Sequence, residues 1–252
     1  MTQTHDMIVR RQFGEQAAAY VESSVHAGGE DLDWIEQVAA RARPAHALDL
    51  GTGGGHVAYR LARQAGRVTA SDLAGEMVAA VLATAEGKGL ANVAGEIAPA
   101  EALPFADAAF DLLACRFSAH HWRDFEAGLR EARRVLASGA PALFVDVVAP
   151  ERPSLDMHLQ AVELLRDPSH VRDYRVSEWI AALGRAGFEI RDLRSLRLRM
   201  DFPSWTARMR TSELHVAAIR SLQSLASADV AGHFALEADG SFTIDTVAIE
   251  AI

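Results

Sequence analysis

The sequence predicts an α/β fold in which helices cover both faces of a mostly parallel sheet that ends in antiparallel strands. Two observations carry this prediction. Short apolar runs alternate with helical segments of ten or more residues, and several of these runs are apolar almost throughout. Parallel strands are joined by crossover helices, and strands that are covered on both faces lose the usual polar alternation.

The first part of the chain is predicted to be helical. Over residues 7–42, apolar side chains recur at three- and four-residue intervals, which is the periodicity of an amphipathic helix. The segment His-Ala-Gly-Gly-Glu at residues 26–30 interrupts this pattern. We therefore expect two helices with a hinge between them.

The middle of the chain alternates strands with helices. Apolar runs predict strands at residues 45–50, 68–72, 93–97, 110–116 and 142–148. Between them, the periodicity and the helix-stop residues predict helices at residues 56–64, 75–86 and 125–136.

Beyond residue 150 the pattern becomes that of an antiparallel end to the same sheet. Four elements are predicted there: a helix at 177–186 with Ser177 as its N-cap and Gly187 as its stop, an alternating strand at 197–202, a helix at 204–227, and a hairpin at 236–244 around Asp239-Gly240. Strict alternation indicates a strand with one buried and one solvated face.

Composition excludes several classes of function. The 252 residues are 50% hydrophobic, carry a net charge of −9 and include Lys88 as the single lysine, which argues against binding to nucleic-acid backbones. The single cysteine, Cys115, excludes an internal disulfide and a cysteine-based zinc site. No stretch has the length of a signal peptide or a membrane span. We expect a soluble, cytoplasmic protein.

The segment ALDLGTGGGH at residues 47–56 carries the clearest functional signal. A predicted strand runs into Gly51, Gly53 and Gly55, and a helix follows directly. Glycines at this position let the backbone turn sharply and approach a ligand at the helix N-terminus, although a tight turn without a ligand is the alternative. The dinucleotide fingerprint needs a glycine where His56 stands, which argues against NAD.

Two carboxylates narrow the choice of ligand. Asp49 lies two residues before the first glycine, where it would repel a phosphate and attract an ammonium group. Asp72 closes the next strand, where a carboxylate can accept hydrogen bonds from both ribose hydroxyls, although it could instead be a helix N-cap. Adenosine joined to an amino acid without phosphates fits both positions. S-adenosylmethionine is such a molecule.

Six motifs, in this order, resemble those of class I S-adenosylmethionine-dependent methyltransferases of the type 11 group, which includes ubiquinone/menaquinone C-methyltransferases. They are Leu48–Gly55, Ser71–Met77, Ala100–Phe105, Phe110–Leu113, His120-His121 and Arg134–Gly139. The resemblance implies a Rossmann-like, doubly wound sheet of seven strands, mostly parallel with an antiparallel edge. It also implies a single domain over residues 1–252, with an N-terminal helical cover (1–42), a cofactor-binding core (43–150) and a substrate-side part (151–252).

The resemblance also assigns the cofactor contacts. It implies that Asp49, Gly51, Thr52 and Gly53 hold the methionine part, Asp72 the ribose, Leu73 and Met77 one side of the adenine, Ala100 and Glu101 its other edge, and that Arg116 faces the sulfonium. One residue departs from the family pattern. Pro99 stands where an acidic residue often binds the adenine amino group, so the adenine contact has to come from backbone or Glu101.

The adjacent His120 and His121 are the candidates for proton chemistry. Histidine titrates near neutral pH, so His120 could act as a general base, while the alternative is a structural role for both residues. We expect no metal there, because neighbouring residues on a strand point to opposite faces. The predicted substrate-pocket residues are Tyr20, His26, His121, Trp205 and Arg210, and simple packing explains Tyr20 and Trp205 equally well.

We therefore predict that the protein transfers a methyl group from S-adenosylmethionine to a small organic metabolite, with S-adenosylhomocysteine as the product. A nucleic-acid methyltransferase is disfavoured by the charge and by Cys-Arg-Phe-Ser at residues 115–118, where an Asn/Asp-Pro-Pro-aromatic motif would stand. Two competing hypotheses are a nicotinamide oxidoreductase and a non-catalytic S-adenosylmethionine-binding protein. The sequence leaves the oligomeric state open, a homodimer included.

Overall fold

A seven-stranded sheet, in the order β3-β2-β1-β4-β5-β7-β6, forms the central layer of the computed structural model, which describes residues 4–14 and 28–252. Strands β1 to β5 run parallel, and β7 is antiparallel to both β5 and β6. The strands are β1 (His46–Leu50), β2 (Arg67–Asp72), β3 (Val93–Ile97), β4 (Leu112–Arg116), β5 (Ala142–Val147), β6 (Ile190–Met200) and β7 (Phe242–Ala251). The prediction of a mostly parallel sheet with an antiparallel edge is confirmed.

Helices lie on both faces of this sheet. They are α1 (His5–Gly14), α2 (Glu30–Ala42), α3 (His56–Leu61), α4 (Gly75–Gly87), α5 (Phe125–Val135), α6 (Pro153–Arg166), α7 (Val176–Ala186), α8 (Phe202–Arg208), α9 (Glu213–Ser224) and α10 (Ala228–His233). A short 3₁₀ turn, Ala119–His121, follows β4. The described helices are all too short or too polar to cross a membrane.

Alternate residues of the parallel strands enter two different hydrophobic cores. In β4 and β5, Leu113 and Phe144 pack in the core that includes α5 and α7, while Leu112 and Leu143 pack in the core that includes α2 and α3. Both faces of these strands are therefore buried, which explains why their sequences are apolar without alternation.

The order of the strands fixes where a ligand can bind. Strands β1 and β4 are neighbours, but the chain leaves β1 toward β2 on one side and returns through β4 to β5 on the other. Such a switch point opens a crevice at the carboxyl ends of the two strands. The glycine loop after β1 and the 3₁₀ turn after β4 both lie at this edge.

The C-terminal part differs from the prediction in five places. The strand predicted at 197–202 begins earlier, at Ile190, and ends at Met200, because Phe202 already belongs to α8. The region predicted as one helix at 204–227 is divided between α8 and α9, because Arg210 adopts a left-handed conformation (φ 49°) and Ser212 caps α9 by accepting from the His215 amide. The hairpin at 236–244 is wrong: Asp239-Gly240 does form a turn, but it joins α10 to the long strand β7.

The other two differences concern the residue that caps α7 and the presence of helix α6. Ser177 is not the N-cap of α7, because Arg175 holds that position and the Ser177 hydroxyl donates to Glu151 at 2.7 Å. Helix α6 is not predicted from the sequence, and it supplies a wall of the site described below. The stop at Gly187, which adopts a left-handed conformation (φ 92°), is confirmed.

Candidate active site

The loop Gly51–Gly55 connects β1 to α3 and passes close to the end of β4. Gly51 has φ 71°, and a Cβ atom added to it would lie 1.9 Å from Ser118 Oγ. A side chain at this position would therefore collide with the turn after β4. The close approach of the two segments depends on glycine at position 51.

The buried carboxylate of Asp49 ties this loop to the helix that follows it. Asp49 Oδ2 accepts hydrogen bonds from Thr52 Oγ1 at 2.6 Å and from the Ala58 amide at 2.9 Å. Burial disfavours its charge and raises its pKa to about 7. A cationic group placed beside Asp49 would stabilise the ionised form, so the carboxylate is suited to an ammonium ligand.

Asp72 fixes the loop from the side of β2. Asp72 Oδ2 accepts from the Gly53 amide and Oδ1 accepts from the Ala74 amide, both at 3.0 Å. Each carboxylate oxygen can accept more than one hydrogen bond, so the side chain keeps capacity for a ligand hydroxyl. Asp72 thus combines the two roles that the sequence left open, a local backbone partner and a candidate ribose contact.

A large cavity of about 110 Å³ opens between these carboxylates and helix α1. Nine of the ten predicted cofactor residues line it: Asp49, Gly51, Thr52, Gly53, Asp72, Leu73, Ala100, Glu101 and Arg116. The tenth, Met77, is fully buried beside Ala74 and Phe13 and does not line the cavity. Pro99 lines the wall next to Ala100, and so does Glu101, the side chain expected to replace the usual acidic adenine contact.

The charge of Arg116 is balanced inside the protein. Its guanidinium forms a buried ion pair with Asp31 of α2 and lies over the ring of Phe117, with 4.7 Å between the Cζ atom and the ring centroid. A lone guanidinium at this wall would repel a sulfonium. Pairing with Asp31 removes that repulsion, so Arg116 can line a pocket for a cationic cofactor.

Asp146 holds the predicted catalytic residue, His120, on the 3₁₀ turn. Asp146, at the end of β5 and 1% exposed, accepts from His120 Nδ1 at 2.5 Å and from the Ala119 amide at 2.9 Å. Burial works against an imidazolium, but the adjacent carboxylate outweighs it and raises the pKa of His120 to about 9. His120 is thus held with its Nδ1–H directed at Asp146, which leaves Nε2 for another partner.

His121 occupies a different environment from its neighbour. Its Nδ1 donates to the Ser169 carbonyl at 3.2 Å, and its own carbonyl accepts from His5 Nε2 of α1 at 2.9 Å. Burial and the charge of His120 lower the pKa of His121 to about 4, so it is neutral at physiological pH. The two rings lie 4.1 Å apart, centroid to centroid, and not on opposite faces of a strand as expected.

A small cavity of about 60 Å³ adjoins the large one, and Phe13, Phe117 and His121 line both. His120 lines the small cavity together with Val147, Glu163, Arg166, Asp173, Leu198, Met200 and Arg208. Within residues 4–14 and 28–252, no group of three or more His, Cys, Asp or Glu side chains is arranged to hold a metal ion.

The predicted substrate-pocket residues are only partly brought together. His121 lines both cavities, whereas Trp205 is fully buried against Phe202 and Phe242 and Arg210 lines neither cavity. The prediction for Trp205 is corrected in favour of packing, the alternative already considered for it. Tyr20 and His26 lie outside the described residues.

Sequence reasoning missed several residues that build the site. Asp146 carries a signal, a lone carboxylate in an otherwise apolar strand, but Asp31, Glu163 and Asp173 carry none that local spacing could show. Helix α1 adds His5, Asp6, Val9 and Phe13 to the wall of the large cavity. These residues reach the site only through the tertiary fold.

Comparisons with known proteins agree with this geometry. Residues 48–144 match the family model described as Methyltransferase domain, type 11. The chain is 43% identical to the uncharacterised protein YafE of Escherichia coli K12, over 78% of this chain and 95% of that one. It is 36% identical to the uncharacterised methyltransferase YcgJ of Bacillus subtilis 168, over 78% of each chain.

The fold agrees as well as the sequence. The crystal structure of YcgJ superimposes with a TM-score of 0.84 at 32% identity, covering 88% of this chain and 97% of that one. A ubiquinone/menaquinone biosynthesis C-methyltransferase, UbiE of Rubrivivax gelatinosus, is 32% identical over 56% of this chain and 57% of its own length.

The raised pKa of Asp49 predicts that S-adenosylhomocysteine, whose ammonium group favours the carboxylate, binds more tightly as the pH rises. Calorimetric titration should show up to about a tenfold gain in affinity between pH 6 and pH 8, because the carboxyl loses its proton in that window. The isosteric Asp49→Asn variant should bind more weakly and lose this pH dependence. The exposed Asp192→Asn variant should keep it.

The same shift fixes the sign of the effect on folding. Folding raises the pKa of the Asp49 carboxyl. Its contribution to the stability of the native state is therefore fully present at pH values below the pKa that it has in the unfolded chain, and it is lost as the pH rises through about 7.

An unchanged pH dependence of binding in Asp49→Asn would contradict the assignment of Asp49 to the ligand's cationic group.

Proposed function

The chain belongs to the type 11 methyltransferase family, and on that premise we propose that it transfers the methyl group of S-adenosylmethionine to a small organic molecule. One observation carries the proposal: Asp49 and Asp72 flank the glycine loop in a single cavity, and a second cavity with a histidine–aspartate pair adjoins it. The first cavity suits the cofactor and the second suits the acceptor.

The residues of the large cavity fit S-adenosylmethionine. Asp49 is a buried acceptor for the ammonium group, and Asp72 lies at the end of β2 with accepting capacity for ribose hydroxyls. Leu73, Ala98 and Ala100 give an apolar wall for the adenine. The carboxylate of Asp49, next to the glycine loop, makes the cavity hostile to the pyrophosphate of a dinucleotide, which argues against a nicotinamide oxidoreductase.

S-adenosylmethionine, when bound, supplies a methyl group on a positively charged sulfur that is ready to leave as a neutral thioether. The protein mainly has to align the acceptor and exclude water. Phe13 and Phe117, which line both cavities, form an apolar boundary between them. The adjoining second cavity favours catalysis over simple cofactor binding, because a binding protein needs no acceptor site.

The His120–Asp146 pair can hold the proton that an acceptor hydroxyl or acidic carbon loses. Nε2 of neutral His120 takes that proton, and Asp146 stabilises the resulting imidazolium through Nδ1–H. With a pKa of about 9, only about 1% of His120 is neutral at pH 7, so the reaction should speed up in alkaline solution.

We predict that the purified protein binds S-adenosylhomocysteine in a calorimetric titration and does not measurably bind NAD. Asp72→Ala should weaken S-adenosylhomocysteine binding by about 1–3 kcal/mol, because hydrogen bonds to a charged group are lost. Tight NAD binding without S-adenosylhomocysteine binding would refute the proposal. If Asp72→Ala is thermally less stable but keeps full affinity, Asp72 only supports the loop.

We predict that His120→Ala leaves S-adenosylhomocysteine affinity nearly intact and lowers turnover by at least about a hundredfold, the usual contribution of a positioned base. In the wild type, kcat/KM for the acceptor should rise with pH to a plateau at or below about 9, since a bound cation can only lower the pKa of His120. A loss of only a few-fold, or a rate that falls as the pH rises, would return His120 to a structural role.

A further inference from the structure

The small cavity places charged groups of both signs next to the proposed methyl-transfer site. Its acidic residues are Glu163 of α6 and Asp173, and its basic residues include His120 and Arg166. Glu163 and Arg166 bind each other at 3.3 Å, and Arg166 also donates to the Trp205 carbonyl at 3.1 Å. The polar wall is therefore built from fixed, mutually held groups.

Asp173 is the exception, because one of its oxygens is left without a hydrogen bond. Asp173 is 1% exposed, and its Oδ2 atom has no hydrogen-bond partner among the described residues. The ring nitrogen His170 Nε2 lies 3.8 Å from Oδ2 and donates to Gln160 Oε1 at 3.0 Å instead. A buried acceptor without a donor is costly, and in a native protein it calls for an explanation such as a catalytic role or a bound molecule.

Neighbouring contacts keep the Asp173 carboxyl where it is. The Gln160 side chain donates to the Asp173 carbonyl at 2.8 Å and accepts from its amide at 3.1 Å, which fixes the backbone on both sides. His170 cannot neutralise the carboxylate, because burial and the charge of His120 lower the pKa of His170 to about 2. The missing donor has to come from a bound molecule or from a proton on the carboxyl itself.

The charges of the wall are already paired, and this selects the chemistry of the occupant. Glu163 binds Arg166 and His120 binds Asp146, so an ammonium group, a carboxylate or a phosphate would be buried here without a counter-ion of its own, which is costly. Burial raises the pKa of Asp173 well above its usual range, so Asp173 does not supply a counter-ion for an ammonium group either. A hydroxyl both donates and accepts hydrogen bonds, so it can pair with the donors and the acceptors of the cavity wall without adding charge.

The rest of the wall is apolar. Phe117, Val147, Leu198 and Met200 offer carbon surface to the face of a ring or a short carbon frame. We propose that the small cavity binds the methyl acceptor, and that this acceptor is a small, neutral molecule with neighbouring hydroxyl groups, one of which donates a hydrogen bond to Asp173. This inference rests on the proposed methyl transfer and adds to it the class of the substrate.

A series of three probes on one ring tests this selection. They are trans-cyclohexane-1,2-diol, trans-2-aminocyclohexanol and trans-2-hydroxycyclohexanecarboxylate, which differ in a single substituent and are neutral, cationic and anionic at pH 7. Their affinities are measured by ligand-observed NMR on the wild-type protein saturated with S-adenosylhomocysteine. The diol should bind at least about tenfold more tightly than either charged probe.

The Asp173→Asn variant tests the residue itself. It should weaken diol binding by roughly fivefold or more, whereas Asp192→Asn, an exposed carboxylate at the opposite end of β6 from the small cavity, should leave it unchanged. Thermal unfolding of each variant shows whether it folds. If Asp173→Asn does not fold, the ranking of the three probes on the wild-type protein still decides the proposal.

The outcomes separate this inference from the proposed function. If S-adenosylhomocysteine does not bind, the proposed methyl transfer is refuted, and the inference falls with it. Three results would show that the acceptor class is wrong while the cofactor assignment stands, provided that S-adenosylhomocysteine binds. The aminocyclohexanol or the carboxylate probe binds with the same affinity as the diol, the diol does not bind at all, or a folded Asp173→Asn variant keeps full affinity for the diol.

Discussion

The buried carboxylate of Asp49 is the interaction on which the arrangement of the site depends. Through Thr52 and the Ala58 amide it joins the end of β1, the glycine loop and the first turn of α3 into one unit. A carboxylate in this position is costly unless a cation is near, as its raised pKa shows. This unfavourable burial occurs at the point where the sheet opens its ligand crevice. We attribute the presence of the carboxylate there to recognition of the cofactor's ammonium group.

The remaining groups follow from the same edge of the sheet. Asp72 ends β2 and holds the glycine loop, while Asp146 ends β5 and holds the turn that follows β4. Neighbouring parallel strands thus hold each other's loops through carboxylate–amide bonds. This arrangement sets the two cavities side by side, and helix α1 and the segment 167–173 cover them.

The sequence is sufficient to predict the features that local spacing controls, but it is not sufficient to predict those that depend on tertiary contacts. The glycine loop, Asp49 and Asp72 are separated by fixed strand and turn lengths, so their placement around one cavity could be predicted. The family resemblance places Met77 and Trp205 in the site, but it cannot show whether an apolar side chain lines a pocket or packs in a core, and both are buried in packing. Asp173 approaches His120 only because the chain returns after α6, a route that no local pattern specifies.

A crystal structure of the protein with S-adenosylhomocysteine tests the central claim most directly, namely that the Asp49–Asp72 cavity is the cofactor site. We expect the ligand's ammonium group next to Asp49, its ribose hydroxyls at Asp72 and its sulfur on the side of Phe117 and His121, where the small cavity begins. A ligand bound outside this cavity, or bound in the reverse direction with its amino-acid part at Asp72, would contradict the claim.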